Sequence, residues 1–333
     1  MRVLLTHSAE DRAAYYVHSL PELEALADVI VNPHDRNFDD DELIDAAQGC
    51  DAIVCHRGTP ITATILDRCP ALVAVFRCAV DISDIDTDAA SRLGIAVGHA
   101  EKSFVPSTAE LALGLMIDLA RNISMSTYDY RHGTEPPQRS GRQLAGKTAG
   151  VIGFGAIGSY LADLLAALGM HVVVHDPEVE PTTDAARAVP WPELLASADV
   201  IFPLAPAMPS TTHLIDADAI AAMKRGALLV NVSRGELLDE GAVADALDSG
   251  QLGGLAMDVG SAPDQRPASA LAARPGVVAT PHLGGLTPEN AYAQAASSVE
   301  QIAAMARAEV PPRLANEAEA HRLHRFLERG KPA

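Results

Sequence analysis

Apolar and polar positions alternate in short blocks along the first 100 residues. Residues 1–6 read as a first strand, and residues 29–31, 52–55, 72–77 and 95–97 as further short, continuously apolar ones. Helical periodicity fills the gaps, for example over residues 40–48 and 86–93. Buried strands alternating with helices predict a parallel sheet covered on both faces. Residues 110–121 form a longer, mostly apolar helix suited to bridging two domains or packing on another subunit. Residues 130–142, with Pro136-Pro137 and two glycines, read as a loop. The alternation restarts at Thr148 and runs to about Pro281, with later strands at 171–175, 200–202, 228–232, 254–259 and 277–279. A helix over 289–306 and a charged, histidine-bearing tail follow. The fold class expected is α/β: two Rossmann-like, doubly wound parallel-sheet domains with a ligand cleft between them. In such sheets ligands bind beyond the strand carboxyl ends.

The most informative stretch is Gly150-Val151-Ile152-Gly153-Phe154-Gly155-Ala156-Ile157-Gly158, followed by Asp176. It lies between a strand pattern and a helix pattern, and an acid stands about 20 residues on, as the dinucleotide fingerprint requires. Gly153 permits the tight turn, Gly155 lets a pyrophosphate approach the backbone, and Gly158 lets the helix pack on the strand. The helix N-terminus offers N–H groups and partial positive charge to phosphates. Asp176 is placed to accept from the adenine ribose hydroxyls.

Composition narrows the function. The 333 residues suffice for two domains, and the 48% hydrophobic content supports a large core. A net charge of −19 disfavours nucleic acid and anionic membranes as partners. No apolar run approaches the ~18 residues of a membrane span. The apolar start is too short for a signal peptide. Cys50, Cys55, Cys69 and Cys78 fit no metal or redox spacing. They read as free, buried thiols, with a reducing cytoplasm as the expected location. No metal is expected.

Three clusters at strand ends carry the remaining chemistry. They are Asn231-Val232-Ser233-Arg234-Gly235, Ala256-Met257-Asp258-Val259 with Asp264 beyond it, and Thr280-Pro281-His282-Leu283-Gly284-Gly285. An arginine at a strand end can fork onto a carboxylate. Singly, each cluster also has an ordinary reading, the arginine as a surface ion pair and the histidine as a loop residue. Their order after a dinucleotide fingerprint is what counts.

On these motifs the chain resembles the D-isomer-specific 2-hydroxyacid dehydrogenase family. That family includes glyoxylate/hydroxypyruvate reductases, D-lactate and D-3-phosphoglycerate dehydrogenases. The resemblance runs from about Leu72 to about Ser298. It implies a flavodoxin-like substrate domain from residues 1–100 and 286–333, with an NAD-binding domain, 101–285, inserted between. It also implies a small-molecule 2-oxo or 2-hydroxy acid substrate and a homodimer formed through the NAD domain. Arg234 would bind the substrate carboxylate and polarise the C2 carbonyl, and His282 would act as acid and base. Cofactor contacts would come from Gly153, Gly155, Ala156, Ile157, Gly158, Asp176, Ala205 and Pro206. Thr108, Val232, Ser233, Arg234, Asp258, His282 and Gly284 complete that set. Val232 and Asp258 would meet the nicotinamide carboxamide.

The sequence departs from the family in two places. The family glutamate that partners the histidine is absent, and a one-residue insertion puts Asp264 in its position; Asp264 is therefore the expected partner of His282. The usual glycine-rich substrate loop reads Cys78-Ala79-Val80-Asp81 here, and the next loop reads His99-Ala100-Glu101-Lys102. Arg57, Val80, Asp81, Arg234 and His282 are the expected substrate contacts. The expected reaction interconverts a 2-oxo acid and a D-2-hydroxy acid with NAD. The alternatives are D-3-phosphoglycerate dehydrogenase and a non-catalytic, NAD-sensing protein of the corepressor type.

Overall fold

The structure is a computed structural model that describes residues 1–181, 185–262 and 264–330. The end of the expected substrate domain, 331–333, lies outside the described residues. The chain divides into two compact units. The first joins Met1–Ser103 to the described residues from Pro288 on, and the second is Phe104–Thr287.

The first unit holds a five-stranded parallel sheet. Its strands are β1 (Arg2–Leu5), β2 (Asp28–Val31), β3 (Ala52–Cys55), β4 (Ala74–Arg77) and β5 (Ala96–His99), in the order β2-β1-β3-β4-β5. Strand periodicity sends neighbouring residues to opposite faces. Val3, Leu5, Ala52, Val54, Ala74 and Phe76 feed one core, while Leu4, Ile53, Cys55 and Val75 feed the other. The first face is closed by Leu23, by Ala295, Val299 and Ile302 of helix Pro288–Ala306, and by Leu323 and Leu327 of helix His321–Gly330. The charged tail is thus partly an amphipathic helix. Its two leucines, four apart on one helical face, were hidden among six charged or histidine residues. All four cysteines are free and buried.

The second unit holds a seven-stranded parallel sheet. Its strands are β6 (Thr148–Ile152), β7 (His171–His175), β8 (Ala186–Ala188), β9 (Val200–Pro203), β10 (Ala227–Asn231), β11 (Leu252–Met257) and β12 (Val277–Ala279). The order is β12-β11-β10-β9-β6-β7-β8, so the strand sequence reverses between β6 and β9. The long helix runs over Val105–Arg121, five residues earlier than its apolar pattern began, with a proline in its first turn. Its buried face, Ala109, Ala112, Leu115 and Met116, packs in the same core as Leu161 and Leu165 of helix Ala156–Ala167. The helix therefore covers its own unit's sheet. Helix Ile123–Arg131 takes the first two residues of the expected 130–142 loop; it buries none of its residues, so it lacked a clear periodic signal. Short β8 was equally hard to read, because Arg187 and Ala188 are exposed. No described helix is long and apolar enough to cross a membrane.

Candidate active site and cofactor site

The glycine turn leaves β6 at the strand-order reversal of the second sheet, where α/β sheets bind ligands. Gly153 has φ +94°, and a Cβ there would stand 2.8 Å from the Ala205 amide nitrogen. Only glycine meets both demands. A Cβ on Gly158 would overlap the Gly153 carbonyl oxygen, so helix Ala156–Ala167 sits against the turn. At Gly155 a Cβ would meet nothing within 4 Å. The backbone there is open to a close-approaching group, and the N–H groups of Ala156 and Ile157 begin the helix beside it. These features fit a dinucleotide pyrophosphate.

Asp176 follows β7. Its carboxylate accepts from the amides of Phe154 (2.6 Å), Glu178 (2.8 Å) and Val179 (3.0 Å). Burial raises its pKa, but the three amides outweigh that and hold it below the ordinary aspartate value. A cavity of about 330 Å³ beside it is lined by Val174, His175, Asp176, Val179 and Val189. On the other side of the turn, the Ala205 carbonyl accepts from Ser233 Oγ at 3.1 Å. The loop bearing Ala205 and Pro206 is thereby tied to the loop bearing Arg234.

That second loop is folded by Asn231, buried at the end of β10. Its Nδ2 donates to the Arg234 carbonyl (2.8 Å), and its Oδ1 accepts from the Ser233 amide (3.1 Å). Arg234 is half-buried and extended, and its Nη1 donates to the Ser233 carbonyl at 2.8 Å. Val232 is buried. A Cβ on Gly235 would overlap the Gly260 backbone. The Arg234 loop therefore abuts the turn that carries Asp264.

Asp264 is exposed, with 61% of its side chain accessible. Its Oδ1 accepts from the Arg266 amide at 3.2 Å, and its Oδ2 lies 3.8 Å from Arg266 Nε. The turn closes on itself through Gly260 N–H to the Gln265 carbonyl (2.9 Å), with Gln265 at φ +57°.

His282 is half-buried beyond β12 and adopts φ +61°, sparsely populated for a residue with a Cβ. Its loop closes on Asp258, which is 0% exposed. Asp258 Oδ1 accepts from Thr280 Oγ1 (2.6 Å) and the Leu283 amide (2.7 Å), and Oδ2 accepts from the Gly284 amide (2.8 Å). Gly284 lies so close that a Cβ would stand 3.2 Å from both Asp258 Oδ2 and Thr108 Oγ1. Asn231 and Thr280 were visible in the motifs but carried no role there; their place beside functional residues at strand ends was the signal.

Residues 113–284 match the model of the D-isomer specific 2-hydroxyacid dehydrogenase, NAD binding domain. The chain belongs to the D-isomer specific 2-hydroxyacid dehydrogenase family. The family's cofactor here is NAD. Among relatives, D-3-phosphoglycerate dehydrogenase of Mycobacterium bovis is 38% identical over 255 residues, covering 75% of this chain and 48% of the relative. The chain spans about half the length of the curated relatives it matches. The TT0316 protein from Thermus thermophilus is 30% identical with a TM-score of 0.81, covering 95% of this chain and 100% of that one. D-lactate dehydrogenase from Escherichia coli is 26% identical with a TM-score of 0.80, over 95% and 100% of the two chains.

In the first unit, the carboxyl edge of the sheet carries the substrate-side candidates. Arg57 is exposed, Val80 half-buried, and Asp81 exposed with Oδ1 accepting from the Ser83 amide at 2.9 Å. Where the strand order reverses between β1 and β3, His7 and His56 meet edge to face at 5.1 Å. Tyr15 and Tyr16 complete the ring cluster, at 5.7 Å and 4.8 Å from His7. His7 had no place in the sequence reading, because one histidine after an apolar strand has no motif. Among the described residues, no group of three or more His, Cys, Asp or Glu could hold a metal ion.

Proposed function

We propose that this protein is an NAD-dependent D-2-hydroxyacid dehydrogenase that interconverts a 2-oxo acid and a D-2-hydroxy acid. The observation that carries the reading is the placement of Arg234 and His282. They follow β10 and β12, flanking β11, at the carboxyl edge of the sheet whose reversal carries the glycine turn. Gly153, Gly155, Ala156, Ile157 and Gly158 hold the pyrophosphate, and Asp176 the ribose. Thr108, Ala205, Pro206, Val232, Ser233, Asp258 and Gly284 line the rest of the cofactor's path. When bound, NAD supplies or accepts the hydride.

Arg234 pairs with the substrate carboxylate and draws charge from the C2 carbonyl. His282 donates a proton to the C2 oxygen during reduction and removes it during oxidation. Asp264 is the proposed carboxylate that stabilises the imidazolium. Arg57, Val80 and Asp81 are the proposed substrate contacts of the first unit. We further propose a cytoplasmic homodimer formed through the NAD-binding unit, whose helix Ile123–Arg131 exposes Ile123, Tyr128 and Tyr130.

The deciding experiment is NADH oxidation with glyoxylate, hydroxypyruvate, 2-oxobutyrate-type acids and phenylpyruvate. Turnover of any one supports the reading. Tight NADH binding with no turnover across the panel would favour a cofactor-sensing protein instead. The second enzymatic reading is D-3-phosphoglycerate dehydrogenase, favoured by the name of the 38% identical relative.

A further inference from the structure

We propose that Asp258 is the positioning residue that sets the backbone of His282 and fixes its register with Arg234. The inference rests on the acid–base reading of His282. It goes beyond a cofactor contact, because the Asp258 carboxylate is turned into the histidine loop. Three donors, Thr280 Oγ1 and the Leu283 and Gly284 amides, converge on its two oxygens from both sides of His282. The His282 amide donates to the Asp258 carbonyl at 2.8 Å. Asp258 thus grips residues 280, 282, 283 and 284 at once. In the other direction its amide donates to the Asn231 carbonyl at 2.9 Å. The Asn231 side chain in turn folds the turn that ends at Arg234.

The physical demand for such a clamp is the left-handed backbone of His282. That conformation persists in a residue with a Cβ only when its surroundings impose it. A buried carboxylate does this better than a neutral acceptor. It takes several N–H and O–H donors at once, with short, charge-assisted bonds. Proton transfer tolerates little misplacement of the acid, so slackening the loop should slow chemistry while the distant pyrophosphate and ribose contacts remain.

The test removes one strand of the clamp without touching His282 or the proposed cofactor contacts. Thr280→Val deletes the hydroxyl donor, Thr280→Ser retains it, and His282→Ala is the reference for lost acid–base function. Thr280→Ala deletes the same donor with less bulk and replaces Thr280→Val if that variant does not fold. We expect Thr280→Val to lower kcat by about tenfold or more, with the NADH Kd held within about twofold. Thr280→Ser should recover most of that loss. Hydrogen exchange at the Leu283 and Gly284 amides should accelerate in Thr280→Val. A Thr280→Val protein with unchanged kcat beside an inactive His282→Ala protein would overturn the positioning role alone. A fully active His282→Ala protein would overturn the acid–base reading beneath it.

Discussion

Asp176 accepts the Phe154 amide at 2.6 Å, which fastens the acid after β7 to the glycine turn after β6. The carboxylate is therefore held in place before any cofactor arrives, beside the cavity lined by Val174 and Val189. A 2′-phosphate would meet a fixed negative charge. At ~4 Å and an effective dielectric near 20 the repulsion is on the order of 4 kcal/mol, and exposure reduces it. A preference of about tenfold needs only ~1.4 kcal/mol. We expect kcat/KM with NADH to exceed that with NADPH by at least this margin, and Asp176→Ser to narrow the gap. Equal efficiency with both cofactors in the wild type would refute the ribose role.

His282→Ala and Arg234→Ala should differ in kind. Loss of the proton donor should lower kcat by ~10² to 10⁴ and leave NADH binding nearly intact. Loss of the arginine should raise KM as well. Asp264→Asn separates two cases. If Asp264 stabilises the imidazolium, the apparent pKa governing reduction should fall, and activity should be lost first on the alkaline side. A pH profile identical to wild type would show that Asp264 serves only its local turn with Arg266.

Asp81 and Glu101 are both exposed acids in loops of the first unit. They should penalise a second negative charge on the substrate. A monoanionic 2-oxo acid is therefore expected to be favoured over a phosphorylated or dicarboxylic one. Comparing hydroxypyruvate with phosphohydroxypyruvate at low salt, where screening is weak, tests this directly. A clear preference for the phosphorylated compound moves the protein to the phosphoglycerate branch.

His7 should make the first unit acid-sensitive. Both ring nitrogens are buried without a hydrogen-bond partner. Burial, then His56, Arg12 and Arg77, hold its pKa well below the ordinary value of 6.5. His56 is also lowered, chiefly by burial and partly offset by Asp11. Below pH 6.5 the unfolded chain takes up protons that the folded state refuses. Stability is therefore full above that pH and falls as pH drops toward the folded-state value. His7→Leu leaves no orphaned donor or acceptor and should flatten the decline. Melting temperatures between about pH 5 and 7.5 would show it. Parallel declines in wild type and variant would place the sensitivity elsewhere.

Much of this was legible because the chain is locally consistent. The strand runs at 52–55, 171–175 and 277–279 have the extents read from their apolar residues. Gly153 and Gly158 stand where their spacing put them, one in a turn and one under a helix. What escaped were features decided by tertiary partners. Leu323 and Leu327 needed the β-sheet they cover, and His7 needed Tyr16 and His56 around it. Asp264 aligned by counting, but counting cannot show that the turn from Gly260 to Gln265 closes on itself.

The first unit's sheet is capped by Ala295, Val299, Ile302, Leu323 and Leu327, all from beyond Thr287. On the ribosome, its strands emerge first yet wait with one apolar face covered only in part, by early residues such as Tyr16 and Leu23. The second unit is contiguous and acquires every residue of its core before those caps are synthesised. Translation therefore finishes the contiguous unit while its neighbour is still unfinished, and that interval is when chaperones have most to hold.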